Sequence, residues 1–193
     1  MDFRQRLFQY RSYTPIPFII LMLLFAQPTP ASLIIGFCVV LAGELIRLWG
    51  VAIAGSETRT TGPVGGTFLI TRGPFAYVRN PLYLGNMLVY FGLGVMSLAL
   101  FPWLTVVALI YFVFQYSLIV SLEEGYLVRQ FGTSFVQYCE VVPRFFPTIK
   151  KYSDGEHPQP EFNWTRGFKS EKRTLQAIGL LIIVLVAIWK LKG

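Results

Sequence analysis

Asn80–Leu122 reads NPLYLGNMLVYFGLGVMSLALFPWLTVVALIYFVFQYSLIVSL, 43 residues without an Asp, Glu, Lys or Arg. A helix crosses a bilayer in about 20 residues. The stretch is too long for one crossing and the right length for two. Phe101-Pro102 supplies the break, because proline interrupts a helix interior. The pattern predicts two antiparallel helices, Leu82–Leu100 and Trp103–Leu122, joined by a tight turn.

Two further uncharged stretches flank this pair. Ser12–Gly43 has 32 residues and breaks at Gln27-Pro28-Thr29-Pro30. It predicts a short helix at about Pro15–Ala26 and a longer one from Ala31 to about Ala54. Thr174–Trp189 has 16 uncharged residues and predicts a C-terminal membrane helix over 174–193, spanning or interfacial.

Composition agrees. The chain of 193 residues is 54% hydrophobic and 14% charged, against about 25% charged in soluble domains. Mean hydropathy is +0.54. These values exclude a disordered chain, a collagen-like chain, a coiled coil and a disulfide-stapled module. Cys38, Cys139 and His157 make no zinc spacing, so no metal is expected. No small-residue cleavage site follows the first apolar run, so a secretory signal peptide is not expected.

The net charge of +7 sits in Lys and Arg that flank the apolar blocks, which points to a membrane and not to nucleic acid. Arg4, Arg6 and Arg11 precede the first block. Arg59, Arg72 and Arg79 lie between the helix pairs, and eight more cations lie between Glu123 and Arg173. The turns near Pro28 and Pro102 have none. Two hairpins place all charged segments on one side, which the positive-inside rule makes cytoplasmic. Lys190 and Lys192 fit that rule less well if the last helix spans.

The expected fold is therefore all-α: a single membrane domain over 1–193, with about five transmembrane helices in two hairpins plus a C-terminal helix. Residues 150–173 read as a basic polar linker that attracts anionic headgroups. This topology brings Arg79-Asn80-Pro81 and Glu123-Glu124 to one depth on the cytoplasmic face.

The polar groups there have local readings as well as functional ones. Asn80 and Pro81 suit the cap and first turn of a helix, with Arg79 and Tyr83 as interfacial anchors. Glu123-Glu124 closes a helix where the macrodipole opposes negative charge, so a cation is required: an arginine or a cationic ligand. Glu44 and Arg47, at i and i+3, can pair within the membrane. Gly62-Pro63-Val64-Gly65-Gly66 is a flexible linker or a backbone that closes over a ligand; it lacks the Lys-Ser/Thr ending of a phosphate loop. Phe131-Gly132, Tyr138 and Val142-Pro143-Arg144-Phe145-Phe146-Pro147 read as an interfacial segment ending in a turn.

In order, Thr67-Phe68-Leu69-Ile70-Thr71-Arg72-Gly73-Pro74-Phe75, Tyr77-Val78-Arg79-Asn80-Pro81-Leu82-Tyr83-Leu84-Gly85, Glu123-Glu124, Phe131-Gly132, Tyr138 and Val142-Pro143-Arg144 resemble the integral-membrane methyltransferases of the isoprenylcysteine carboxyl methyltransferase and phospholipid methyltransferase family. The resemblance covers 67–147, the implied cofactor-binding core. It implies S-adenosylmethionine (S-adenosyl-L-methionine) as methyl donor, bound at the cytoplasmic face. Donor contacts carry over onto Thr67, Phe68, Leu69, Ile70, Phe75, Asn80, Pro81, Leu82, Tyr83 and Glu123. Glu124 is the second member of the family's glutamate pair. Arg79, Tyr83 and Glu124 are the implied catalytic residues, and Arg72 or Arg79 would hold the donor's carboxylate.

Three positions depart from the family pattern. Asn80 stands where Arg-His-Pro has histidine, and Thr67 replaces a frequent histidine. Ile119 stands where the prenylcysteine enzymes carry an arginine four residues before the first glutamate. That substitution argues against a prenylcysteine carboxylate as acceptor.

The implied reaction is methyl transfer to a lipid or isoprenoid acceptor, by in-line displacement at sulfonium in a dry pocket. An amine acceptor needs a base, for which Glu123, Glu124 and Tyr83 are candidates. The expected partners are that small molecule and membrane lipids, without nucleic acid or metal. Two other readings stand beside this one: a membrane NADPH-dependent sterol-type reductase, and a non-catalytic membrane scaffold.

Overall fold

The computed structural model describes residues 3–55, 68–153 and 158–192. Thr67, the Gly62–Gly66 loop, Arg59 and His157 lie outside them. The described residues form six helices and no strand: α1 (Phe3–Tyr10), α2 (Ile16–Leu24), α3 (Pro30–Ala54), α4 (Pro81–Ser97), α5 (Trp103–Val141) and α6 (Trp164–Lys192). A 3-10 turn, Gly73–Ala76, precedes α4. The fold is the expected all-α membrane bundle.

Three of these helices, α3, α5 and α6, are long and apolar enough to cross a membrane. Helix α4, with 17 residues, is a shorter apolar helix. Helix α2 has nine residues, too few to cross, and buries Met22 against the core. The first expected crossing is thus short, because Pro15 and Pro28 bound it closely.

The loops fix the hairpins. Thr29 caps α3 by accepting from the Ser32 amide at 3.2 Å, while Ser32 Oγ accepts from the Thr29 amide at 2.9 Å. The same Ser32 hydroxyl donates to the Met96 carbonyl, and the Gln27 amide donates to the Ser97 carbonyl at 2.8 Å. Helix α4 ends at Ser97 and not at Leu100, because Leu98 turns into the left-handed region at φ 48°.

Helices α3 and α4 pack backbone to backbone. A Cβ on Gly43 would stand 2.7 Å from the Gly85 carbonyl oxygen, and one on Gly92 would stand 2.7 Å from that of Gly36. Both pairs are seven residues apart on their helices. Small residues at such spacing let membrane helices approach closely, where dispersion replaces the hydrophobic effect as the driving force.

Two helices run past their expected ends. Helix α5 continues past Leu122 to a kink at Gly132 and resumes from there to Val141, so Glu123 and Glu124 lie within a helix and not at its terminus. Charge does not stop a helix; the first real breakers are Gly132, at φ 53°, and Pro143. Helix α6 begins at Trp164, ten residues before the uncharged stretch, and so takes up the end of the expected linker. Asn163 starts it by accepting from the Arg166 amide at 2.9 Å.

Helix α6 lies along α3. The Asn163 amide donates to the Ala52 carbonyl at 2.8 Å at one end, and Lys192 Nζ donates to the Ala26 carbonyl at 2.9 Å at the other. The C-terminal lysines therefore sit at the proline-turn end of the bundle.

Candidate functional site

A cavity of about 690 Å3 lies at the end of the bundle where α3 finishes and where α4 and α6 begin. Its outer wall comes from the loop before α4 (Phe68, Leu69, Ile70, Phe75), the first turn of α4 (Asn80, Pro81, Leu82, Tyr83) and α5 (Glu123, Glu124, Tyr126, Leu127). Its inner end is lined by Arg47 and Val51 of α3, Asn86 and Tyr90 of α4, Tyr116 of α5 and Glu171 of α6. Phe8, Arg11 and Ser12 close one side from the N-terminal segment.

The motifs that looked unconnected in sequence build one frame around this cavity. Gly73 has φ 61°, and a Cβ there would stand 2.0 Å from Ile53, so glycine alone fits the turn. The turn at Gly132 lets the last part of α5 fold over the loop. Phe135, Tyr138 and Val142 pack with Leu69, and the Tyr138 hydroxyl donates to the Phe75 carbonyl at 2.7 Å. The Arg79 amide donates to the Pro143 carbonyl, and the Thr148 amide to the Tyr77 carbonyl, both at 2.8 Å. Asn80 occupies the N-cap position of α4, but its side chain donates to the Arg144 carbonyl at 3.2 Å instead of capping. Gln159 bridges the loop further, donating to the Leu69 carbonyl and accepting from the Thr71 amide.

The two adjacent glutamates have different partners. Glu124 accepts from Arg79 Nη1 at 2.8 Å and, bidentately, from Arg144 at 3.1 and 2.5 Å. Arginine is thus the cation that offsets Glu124. Glu123 accepts from the Tyr83 hydroxyl at 2.8 Å, a neutral donor, with Arg11 close enough to act on its charge. Tyr83 stacks on Tyr116 with ring centroids 4.6 Å apart, so its phenol is held between an aromatic wall and a carboxylate. Arg79 also donates to Cys139 Sγ at 2.8 Å.

The inner end is built around Arg47. Its Nε lies 3.1 Å from Glu44, an ion-pair contact. Its two terminal nitrogens donate to the Asn86 side-chain Oδ1 and to the Glu171 carboxylate. The expected Glu44–Arg47 pair exists, but it is not self-contained: α6 supplies a second carboxylate.

Of the residues singled out from sequence, Phe68, Leu69, Ile70, Phe75, Arg79, Asn80, Pro81, Leu82, Tyr83, Glu123 and Glu124 all line this one cavity. Thr67 lies outside the described residues. Arg72 is exposed, and Arg79 is the arginine of that segment on the cavity wall. Sequence reasoning missed Arg11, Asn86, Tyr90, Tyr116 and Glu171. Asn86 carried a signal, as an amide in an otherwise apolar helix; Glu171 had only its place as an acid among Lys169, Lys172 and Arg173.

The Phospholipid methyltransferase family profile matches residues 31–134. That is more than half of the chain, and the chain belongs to this family. Over 161 residues it is 29% identical to the cobalt-zinc-cadmium resistance protein CzcN of Cupriavidus metallidurans, covering 81% of this chain and 67% of that protein. It is 29% identical over 123 residues to the nickel-cobalt-cadmium resistance protein NccN of Alcaligenes xylosoxydans xylosoxydans, covering 63% of this chain and 53% of that protein. It is 38% identical over 81 residues to the protein-S-isoprenylcysteine O-methyltransferase of Schizosaccharomyces pombe, covering 42% of this chain and 34% of that protein. The chain thus spans about two thirds of the first relative, half of the second and a third of the last.

Proposed function

We propose that this protein is an integral membrane methyltransferase that moves a methyl group from S-adenosylmethionine to a lipid or isoprenoid acceptor. The observation that carries the reading is convergence. The segments Phe68–Ile70, Phe75, Asn80–Tyr83 and Glu123, far apart in sequence, line a single cavity. Its volume is in the range of small-molecule sites, about 300–1,000 Å3.

The wall chemistry fits the donor. A donor of this kind supplies an activated methyl on sulfonium, and it also carries an ammonium, a carboxylate and an adenine. Glu123 offers a carboxylate whose hydrogen-bond donor is a neutral phenol and whose nearby cation is Arg11, which leaves it able to face a cationic group. Phe68, Leu69, Phe75 and Tyr83 offer apolar and aromatic surface for a base and a thioether. Arg79 stands on the same wall, with Glu124 and Cys139 fixing its guanidinium.

The cavity is bounded by helices that expose large apolar residues such as Leu45, Phe91 and Phe114, which suits an acceptor with a long tail. By the positive-inside rule its end of the bundle is cytoplasmic, since α1, the loop before α4 and the basic segment after α5 all converge there.

Calorimetry on detergent-solubilised protein tests the donor. S-adenosylhomocysteine should bind the wild type, and Glu123→Gln should abolish that binding; wild-type affinity in the variant refutes the assignment. NADPH should not raise thermal stability, whereas S-adenosylhomocysteine should. Lipid extracts incubated with methyl-labelled donor should gain label in the organic phase. Label only in water-soluble product counts against a lipid acceptor.

A further inference from the structure

We infer that Glu171 sets which head groups the inner end of the cavity admits, by holding the Arg47 guanidinium away from an anionic ligand. The inference rests on the methyltransferase reading and concerns the acceptor, where that reading concerned the donor.

The residues assigned to the donor occupy the outer wall. The inner end, with Arg47, Asn86, Tyr90, Tyr116 and Glu171, is left for the second reactant. Arg47 is the nearly buried guanidinium there, with parallel N–H donors suited to a carboxylate or phosphate, whereas Arg173 lines the cavity from an exposed position on α6. Both of its terminal nitrogens already donate to the protein, and its Nε is buried without a hydrogen-bond partner. Nε faces Glu44, one terminal nitrogen bonds Asn86, and the other bonds Glu171. Both side chains of the Arg47–Glu171 pair are nearly buried, at 11% and 3% exposed. A ligand carboxylate reaching this end meets the Glu171 charge instead of an open arginine edge.

A head group without negative charge meets no such barrier. The Asn86 amide donates to the Tyr116 hydroxyl at 3.3 Å, a long contact that a ligand hydroxyl or amine can join or replace. The class of acceptor selected is therefore a lipid whose polar head carries no negative charge. Glu171 lies outside the residues that match the family, 31–134, and reaches Arg47 only because α6 folds back along α3. It is a specificity-determining residue supplied by the C-terminal helix.

The test compares two probes of equal tail length, dodecanol and laurate, titrated calorimetrically into detergent-purified protein. The wild type should bind dodecanol at least about tenfold tighter than laurate. Glu171→Gln should tighten laurate by a factor on the order of ten, the scale of a charge-assisted hydrogen bond. Glu171→Asp should keep the wild-type ranking, and adding Arg47→Gln to Glu171→Gln should cancel the gain. Equal binding of the two probes by the wild type overturns the inference, even if Glu171→Gln fails to fold. So does a laurate affinity unchanged in a folded Glu171→Gln. S-adenosylhomocysteine is titrated in parallel: its failure to bind sinks the donor assignment, while the laurate ratio alone decides the role of Glu171.

Discussion

Gly43 and Gly85 touch through their backbones: a Cβ built on either would stand 2.7 Å from the other's carbonyl oxygen. This contact sets the distance between α3 and α4, and through it the placement of Arg47 opposite Asn86. Gly85→Ala should lower the melting temperature in detergent markedly, since overpacking costs about 1–3 kcal/mol. Gly179→Ala is the control. A Cβ there meets nothing within 4 Å, so stability should hold or rise.

Glu124 is shared by two arginines of unequal burial, Arg79 at 15% and Arg144 at 45% exposed. Removing the more buried partner should cost more, because it strands charge away from water. Arg79→Ala should therefore destabilise the protein more than Arg144→Ala. A double-mutant cycle with Glu124→Gln should give the larger coupling energy for Arg79.

Gly132 turns α5 with open space around it. Its φ is 53°, yet a Cβ would meet nothing within 4 Å. Alanine there should cost backbone strain alone, about 1–3 kcal/mol, since φ 53° with ψ −126° is open essentially only to glycine. Asparagine should cost about as much, because ψ of −126° lies outside the left-handed helical well that asparagine tolerates. Chemical denaturation of the two variants compares them.

Tyr83→Phe removes the hydroxyl that donates to Glu123. The carboxylate then lacks that donor, at a cost of about 1–3 kcal/mol. If the donor's ammonium docks at Glu123, S-adenosylhomocysteine, which keeps that ammonium but lacks the sulfonium, should recover part of the loss. Melting curves of wild type and variant, with and without that ligand, measure the difference.

The hairpin logic was legible because uncharged runs and prolines act locally. Residues 80–122 had to make two helices whatever else the chain did. Helix ends were less legible. Nothing local to Glu123 says that the helix continues, since the arginines that make its neighbour tolerable, Arg79 and Arg144, come from other segments. The outer wall of the cavity could be read from ordered motifs. The inner end could not, because the Arg47–Glu171 contact joins residues 124 positions apart and is created only by the return of α6.

Phe8 and Arg11 help line the cavity, whereas Lys192 fastens onto Ala26 at the far end of the bundle. The polypeptide thus enters and leaves this assembly at opposite poles. A fluorescent reporter joined before residue 3 and another joined after residue 192 should accordingly reside in different aqueous compartments, and only the first would crowd the mouth of the cavity.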